Sequence, residues 1–437
     1  MSLVTCMPRR LAVGLAVLSL AACTDQSPRP LTEPEPVPEF ALGPKGTRTV
    51  TSLNDPGTGV CIAQSCTLRQ AIDIAEPGDR IIFKANLEGR IVLTAGQLQI
   101  DKDLAIDGEG RITVDANGAS RVIQIGDDRT VTLAGLTITG GHAALFSPTP
   151  NGGGIRTLSN VTLTVRNSTI AGNTALFGGG IVFNDGTLTV INSTVRSNRA
   201  TAEGGGIYNA AGLATIDGST IADNETGPGL SSDGGGLFNF GNPTGHGTMI
   251  IVNSTVSGNR ASHRGGAIYN GQNAVLTVQH TTITGNHGRT FGGLWTSGPT
   301  TMANSIFGGN TVANPATLGT DCQWLGLTAA AEPPTSGGHN LFGGEPCAGA
   351  VPSDVALADP ADISGVLSPT LADNGGPTQT HALIEDGLAV DGGRCPDQAA
   401  DQRRRPRPYD HPARANVADG CDIGSFEWQP ADGRKVN

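Results

Sequence analysis

The chain has 437 residues, 63 of them glycine, with 37% apolar, 15% charged and 4% aromatic residues and a formal net charge of −11. That length allows two or three domains, the apolar patterning excludes a disordered chain, and the acidic balance excludes the basic face that nucleic acid requires. A core this poor in rings must be built from Ile, Val, Leu, Thr and Ala, in many short strands joined by tight turns.

At the N-terminus, Arg9 and Arg10 precede an apolar run from Leu11 to Leu20 that is too short to span a bilayer. The run ends in Leu20-Ala21-Ala22-Cys23. Residues 1–23 therefore resemble a bacterial lipoprotein signal. The resemblance implies that Cys23 is lipidated and becomes the mature N-terminus, so that the membrane is a partner through the lipid. Thr24 stands where an Asp would favour retention in the inner membrane. The expected location is thus the outer membrane, with its periplasmic or exposed side left open. Residues 24–46 carry Pro28, Pro30, Pro34, Pro36, Pro38 and Pro44. Proline fixes φ and removes donors, which predicts an extended tether.

Residues 47–80 contain Cys66-Thr67-Leu68-Arg69-Gln70-Ala71-Ile72. Leu68, Ala71, Ile72 and Ala75 fall on one helical face, which predicts a short amphipathic helix closing one end of a core. The phrase resembles the C-S-L-R-E-A-I signature at the start of many exported β-helix proteins, with Thr67 and Gln70 in place of Ser and Glu.

Residues 81–302 repeat. Gly152-Gly153-Gly154-Ile155 recurs with its aliphatic residue at Ile181, Ile207, Leu237, Ile268 and Leu294, in steps of 26, 26, 30, 31 and 26. Out of phase with it runs Asn167-Ser168-Thr169-Ile170, matched at Val195, Ile221, Val256 and Ile283. Asparagine follows each of these aliphatics by three residues, at Asn173, Asn198, Asn224, Asn259 and Asn286. A unit of two or three short strands cannot bury its own apolar face, so the copies must stack. Stacked strands in a coil of about 26 residues describe an all-β, right-handed parallel β-helix, a pectate-lyase-like solenoid. With looser copies such as Ile81-Ile82-Phe83, nine or ten coils are expected, making a rod of about 45 Å. The repeats are similar to those of polymorphic outer-membrane proteins.

Residues 303–437 include Asn304-Ser305-Ile306-Phe307, Ser336-Gly337-Gly338-His339-Asn340-Leu341, Asp373-Asn374-Gly375-Gly376-Pro377-Thr378-Gln379-Thr380-His381 and Cys421-Asp422-Ile423-Gly424. This order resembles the choice-of-anchor Q domain, which implies display at the cell surface. Relatives usually carry a sorting signal after it. Here the sequence stops at Asn437 with neither LPxTG nor an apolar tail, and anchorage by Cys23 is expected to serve instead.

Beyond Cys6 and Cys23, six cysteines form three sequence-local couples: Cys61/Cys66, Cys322/Cys347 and Cys395/Cys421. Export makes disulfides the default, though six cysteines allow 15 connectivities. No C-x-x-C occurs and no histidine lies at ligand spacing, so neither metal nor cofactor is expected.

Candidate chemistry is sparse. Gly245-His246-Gly247 resembles a polygalacturonase phrase, but the only Asp pair, Asp127-Asp128, lies several coils away. Asp101, Asp103, Asp107 and Glu109 read as turn residues, and the Arg403 to Arg407 cluster as domain packing. The residue after each repeat aliphatic is more telling: Tyr208, Phe238, Tyr269 and Trp295. Strand alternation points these four outward as an external strip, with Asn209, Asn239 and Asn270 inward. Such a strip can stack on sugar rings or a partner's side chains, unless the inserts at 225–233 and 240–248 cover it. The reading is a lipid-anchored envelope protein that binds a glycan or another surface protein, with no catalytic set assembled. The alternative is a polysaccharide-acting β-helix lyase or hydrolase. That would require two carboxylates, or an acid beside Arg or Lys, on adjacent coils of one open face.

Overall fold

The computed structural model describes residues 45–430, apart from 56–59, 63–64, 144–148, 230, 242–246, 314–320, 327–332, 348 and 397. The signal, Cys23, most of the tether and His246 lie outside the described residues.

Each repeat makes one turn of a right-handed parallel β-helix. The turn that begins at Ile181 shows the plan: strands Ile181–Phe183, Gly186–Ile191 and Thr194–Arg196 form three faces, and the two-residue strand Arg199–Ala200 follows. The next turn repeats it in register, pairing Ile181 with Ile207, Leu188 with Ala214 and Val195 with Ile221. The first face holds nine parallel strands among the described residues, from Leu98–Ile100 to Cys322–Trp324. The sequence pattern suggested two or three strands per turn; the short fourth follows directly on the asparagine that stands past the third.

The columns read from the sequence close the interior. Ile155, Ile181, Ile207, Leu237, Ile268 and Leu294 are fully buried, as are Ile170, Val195, Ile221, Val256 and Ile283. Glycine is required between them: Gly204 has φ +66°, and a Cβ on Gly205 would stand 2.3 Å from the Gly235 carbonyl oxygen. Asparagines run through the corner as an amide ladder. The Asn173 Nδ2 donates to Asn198 Oδ1 (3.0 Å), and the pattern continues through Asn224, Asn259 and Asn286 to Asn310. Asp321 ends it, accepting from both the backbone N–H and Nδ2 of Asn310. Burial holds the Asp321 carboxyl up at about 6 against these two hydrogen bonds.

Helix Leu68–Ile74 covers the first turns, opened by a capping box between Thr67 and Gln70. Arg69 ties it down: its guanidinium pairs with Asp55 at 2.8 and 2.9 Å and donates to the carbonyls of Gly96 and Gln97.

Past residue 303 the coil continues through Ile306–Gly308 and Leu341–Phe342. The chain then turns back, and residues 367–428 lie across the outer side of the third face. On this face Thr169–Ala171 and Thr194–Arg196 are partly exposed outside, whereas Thr220–Ala222, Thr255–Ser257 and Thr282–Thr284 are buried throughout. Gln402 is the central clamp. Its Nε2 donates to the Ser219 carbonyl and Thr220 Oγ1, and its Oε1 accepts from Thr255 Oγ1 at 2.7 Å. Coils and return segment belong to one compact unit.

Candidate functional site

The residue before each glycine triplet faces outward and stacks one turn above its counterpart, since Gly204 donates to the Asp233 carbonyl and Gly234 to that of Arg264. This column reads Glu203, Asp233, Arg264 on three successive turns, beside the aromatic column. Asp233 is buried. It accepts from the Arg264 backbone N–H at 2.9 Å and from its Nη2 at 2.8 Å, and His263 Nδ1 stands 2.9 Å away. The Arg264 guanidinium also lies 5.1 Å from the Tyr269 ring centre and 4.4 Å from that of Trp295.

Among the described residues Glu203 has no such partner. Burial pushes its carboxyl up to about 7, the Asp233 charge pushes it further in the same direction, and Arg264 opposes both. Tyr269 is raised to about 12, and Tyr208 is raised as well, in both cases chiefly by burial. The arrangement thus gathers a carboxyl that titrates near neutrality, an ion-paired acid and two phenols on one outer face.

The four rings form the external strip expected from the sequence, but not as an open platform. Tyr208, Phe238, Tyr269 and Trp295 stack face to face at centroid distances of 5.0, 4.6 and 4.3 Å, with planes 7°, 4° and 16° apart. Phe177 leans on the first at 5.4 Å. A ring stacked every strand spacing presents its edge outward, so the faces a sugar would need are occupied by neighbouring rings. Phe238 and Trp295 are only 3% and 1% exposed, while Tyr208 and Tyr269 keep partial exposure. The ladder is therefore chiefly a brace, and the polar groups along it are what a ligand can reach. Inside the same strands, Asn209, Asn239 and Asn270 form the expected ladder, at 2.8 Å for each amide contact.

Glu203, Asp233 and Arg264 went unremarked in the sequence because they precede the glycine motif instead of repeating it. The signal was their constant offset from each triplet.

The other candidates hold the structure together. Asp103 accepts from the Thr130 N–H, Asp107 pairs with Arg80 and Glu109 with Arg111. Asp127 and Asp128 accept from Ser159 and Asn160 on the next turn. Arg403 pairs with Asp401, both closed to solvent, and lies 3.4 Å from the centre of the Phe426 ring; Arg407 contacts His280 and the Gly424 carbonyl. All six body cysteines join as nearest-neighbour couples: Cys61–Cys66, Cys322–Cys347 and Cys395–Cys421. Cys395 and Cys421 cluster with Asp419, but their sulfurs are bonded to each other and are not free thiolate ligands.

No family model matches the chain, and no curated protein matches it in sequence. Among solved structures, the chain is similar to the pectate lyase Pel9A at 14% identity and a TM-score of 0.47, over 89% of this chain and 98% of that one. It is also similar to Jun a 1, the major allergen from cedar pollen, at 13% identity and a TM-score of 0.40, over 72% and 79%.

Proposed function

We propose that this chain is an exported, lipid-anchored protein of the cell envelope whose β-helix binds a surface polysaccharide along its first face. One observation carries the binding reading. The Glu203 carboxyl and the Tyr208 and Tyr269 phenols share one outer face, Tyr269 beside Arg264, and among the described residues no hydrogen bond occupies them. Such groups suit the hydroxyls of an extended sugar chain, and the stacked rings hold them rigid. Three closed disulfides agree with an oxidising compartment.

A second reading, cleavage of the polysaccharide, draws on one further fact. Glu203 and Asp233 are two carboxyls on adjacent turns with an arginine beside them, and Glu203 sits in the pKa range of a general acid.

The test is an array of neutral and acidic polysaccharides probed with the full chain, Glu203→Gln and Tyr208→Phe. Binding should weaken about tenfold in each variant, as expected for loss of one good hydrogen bond. Equal binding by all three proteins refutes the site. New reducing ends or unsaturated products that vanish with Glu203→Gln would establish cleavage. Labelled fatty acid should enter the wild-type chain in cells and not the Cys23→Ala variant.

A further inference from the structure

The return segment and the third face border a half-open cavity of about 440 Å³, lined by Ser257, Gly258, Gly285, Leu367, Leu371 and His381 among others. Ser257 ends the strand Thr255–Ser257, and Gly258 behind it has φ +66°. The repeat does not ask for serine there: its counterparts on other turns are Ala171, Arg196, Ala222, Thr284 and Gly308. The Ser257 Oγ lies 2.8 Å from His381 Nε2, and His381 Nδ1 lies 2.8 Å from the Ser368 carbonyl oxygen.

These two contacts fix the tautomer. A carbonyl only accepts, so Nδ1 carries the proton. In the neutral ring Nε2 must then accept from the Ser257 hydroxyl. Burial keeps the ring neutral by lowering its pKa. A hydroxyl donating to an imidazole that is itself oriented by a third group is the arrangement of an activated nucleophile.

We propose that Ser257 and His381 are a nucleophile and general base that cleave a short-chain acyl ester bound in this cavity. The Ser257 oxygen bonds to the acyl carbon while His381 takes its proton, then passes it to the departing alcohol as the ester bond breaks. Water, deprotonated by the same ring, then releases the acid and restores the serine. Leu367 and Leu371 would line the acyl chain. The Gly285 backbone leaves room beside the nucleophile, since a Cβ there would still stand 3.8 Å from Ser257 Oγ. This proposal is independent of polysaccharide binding on the first face.

The experiment treats the full native chain with a fluorophosphonate probe and maps the adduct by mass spectrometry, alongside hydrolysis of p-nitrophenyl acetate. One adduct on Ser257 is expected, absent when the chain is unfolded in urea. The adduct should vanish in Ser257→Ala, and hydrolysis and labelling should fall about 100-fold or more in His381→Gln, the usual cost of losing a nucleophile's base. An unlabelled Ser257 in the native wild-type chain overturns the proposal even if a variant does not fold. So does a folded His381→Gln that labels at the wild-type rate, which would make the contact a fastening of the return segment only.

Discussion

Ionising Glu203 sets a charge into a half-buried site that already holds the charge of Asp233, so its folded-state pKa of about 7 stands above the usual 4.5. Below pH 4.5 the carboxyl is protonated in both folded and unfolded chains and contributes nothing. Between 4.5 and 7 the unfolded chain gives up its proton first, and stability falls as pH rises; above 7 the penalty is complete. Glu203→Gln removes the penalty. Urea unfolding at pH 8 should show a variant more stable by about 1–2 kcal/mol after allowance for solvent screening, with no difference at pH 4. A difference that is the same at both pH values would show that packing, and not charge, is responsible. At this scale the sequence was half legible. Side-chain alternation put Tyr208, Phe238, Tyr269 and Trp295 on the outside, but not the ring planes. Those depend on parallel strands bringing identical χ angles into contact at one strand spacing.

At the scale of the element, the asparagine ladder works as a single unit, because each side chain satisfies groups on the turns before and after it. Asn224 Oδ1 accepts from both the N–H and Nδ2 of Asn198, and its own Nδ2 donates to the Val195 carbonyl and Asn259 Oδ1. Asn224→Ala leaves several buried donors and acceptors without partners. The expected loss is about 3 kcal/mol, read as a lower urea midpoint. An unchanged midpoint would mean that water enters and replaces the amide. This ladder was visible in the sequence as a fixed three-residue offset, and so were the glycine triplets and the cap helix, whose Thr67 and Gln70 form the box that their spacing allows. Asp321 was not visible as its end, since it stands directly before the strand Cys322–Trp324 and so breaks both the residue type and the three-residue offset.

The whole molecule depends on contacts between residues more than a hundred positions apart. Gln402 meets Thr220 and Thr255, and His381 meets Ser257. No periodicity records these. The coil runs on past residue 303 through Ile306–Gly308 and Leu341–Phe342 before the chain turns back, and no sequence pattern fixes where the returning stretch lies. The Cys395–Cys421 disulfide joins two parts of the return segment, and Gly393 and Cys421 bridge beside it. A Cys395→Ala/Cys421→Ala variant should therefore loosen this layer first. Hydrogen exchange is expected to rise in residues 389–428 while the amides of the inner ladders stay protected. Uniform loss of protection would mean that coil and layer unfold as one.

The return segment also has a mechanical consequence. In a bare solenoid each turn is bonded only to the turns beside it, face by face, so a force applied at the first turn peels turns off singly, like a zipper. From Thr220 onward the overlying layer grips several turns at once, and those bonds must be sheared together. Pulled from its N-terminal end, the rod should give way in small steps at first and then resist abruptly, behaving as a soft spring in series with a stiff one.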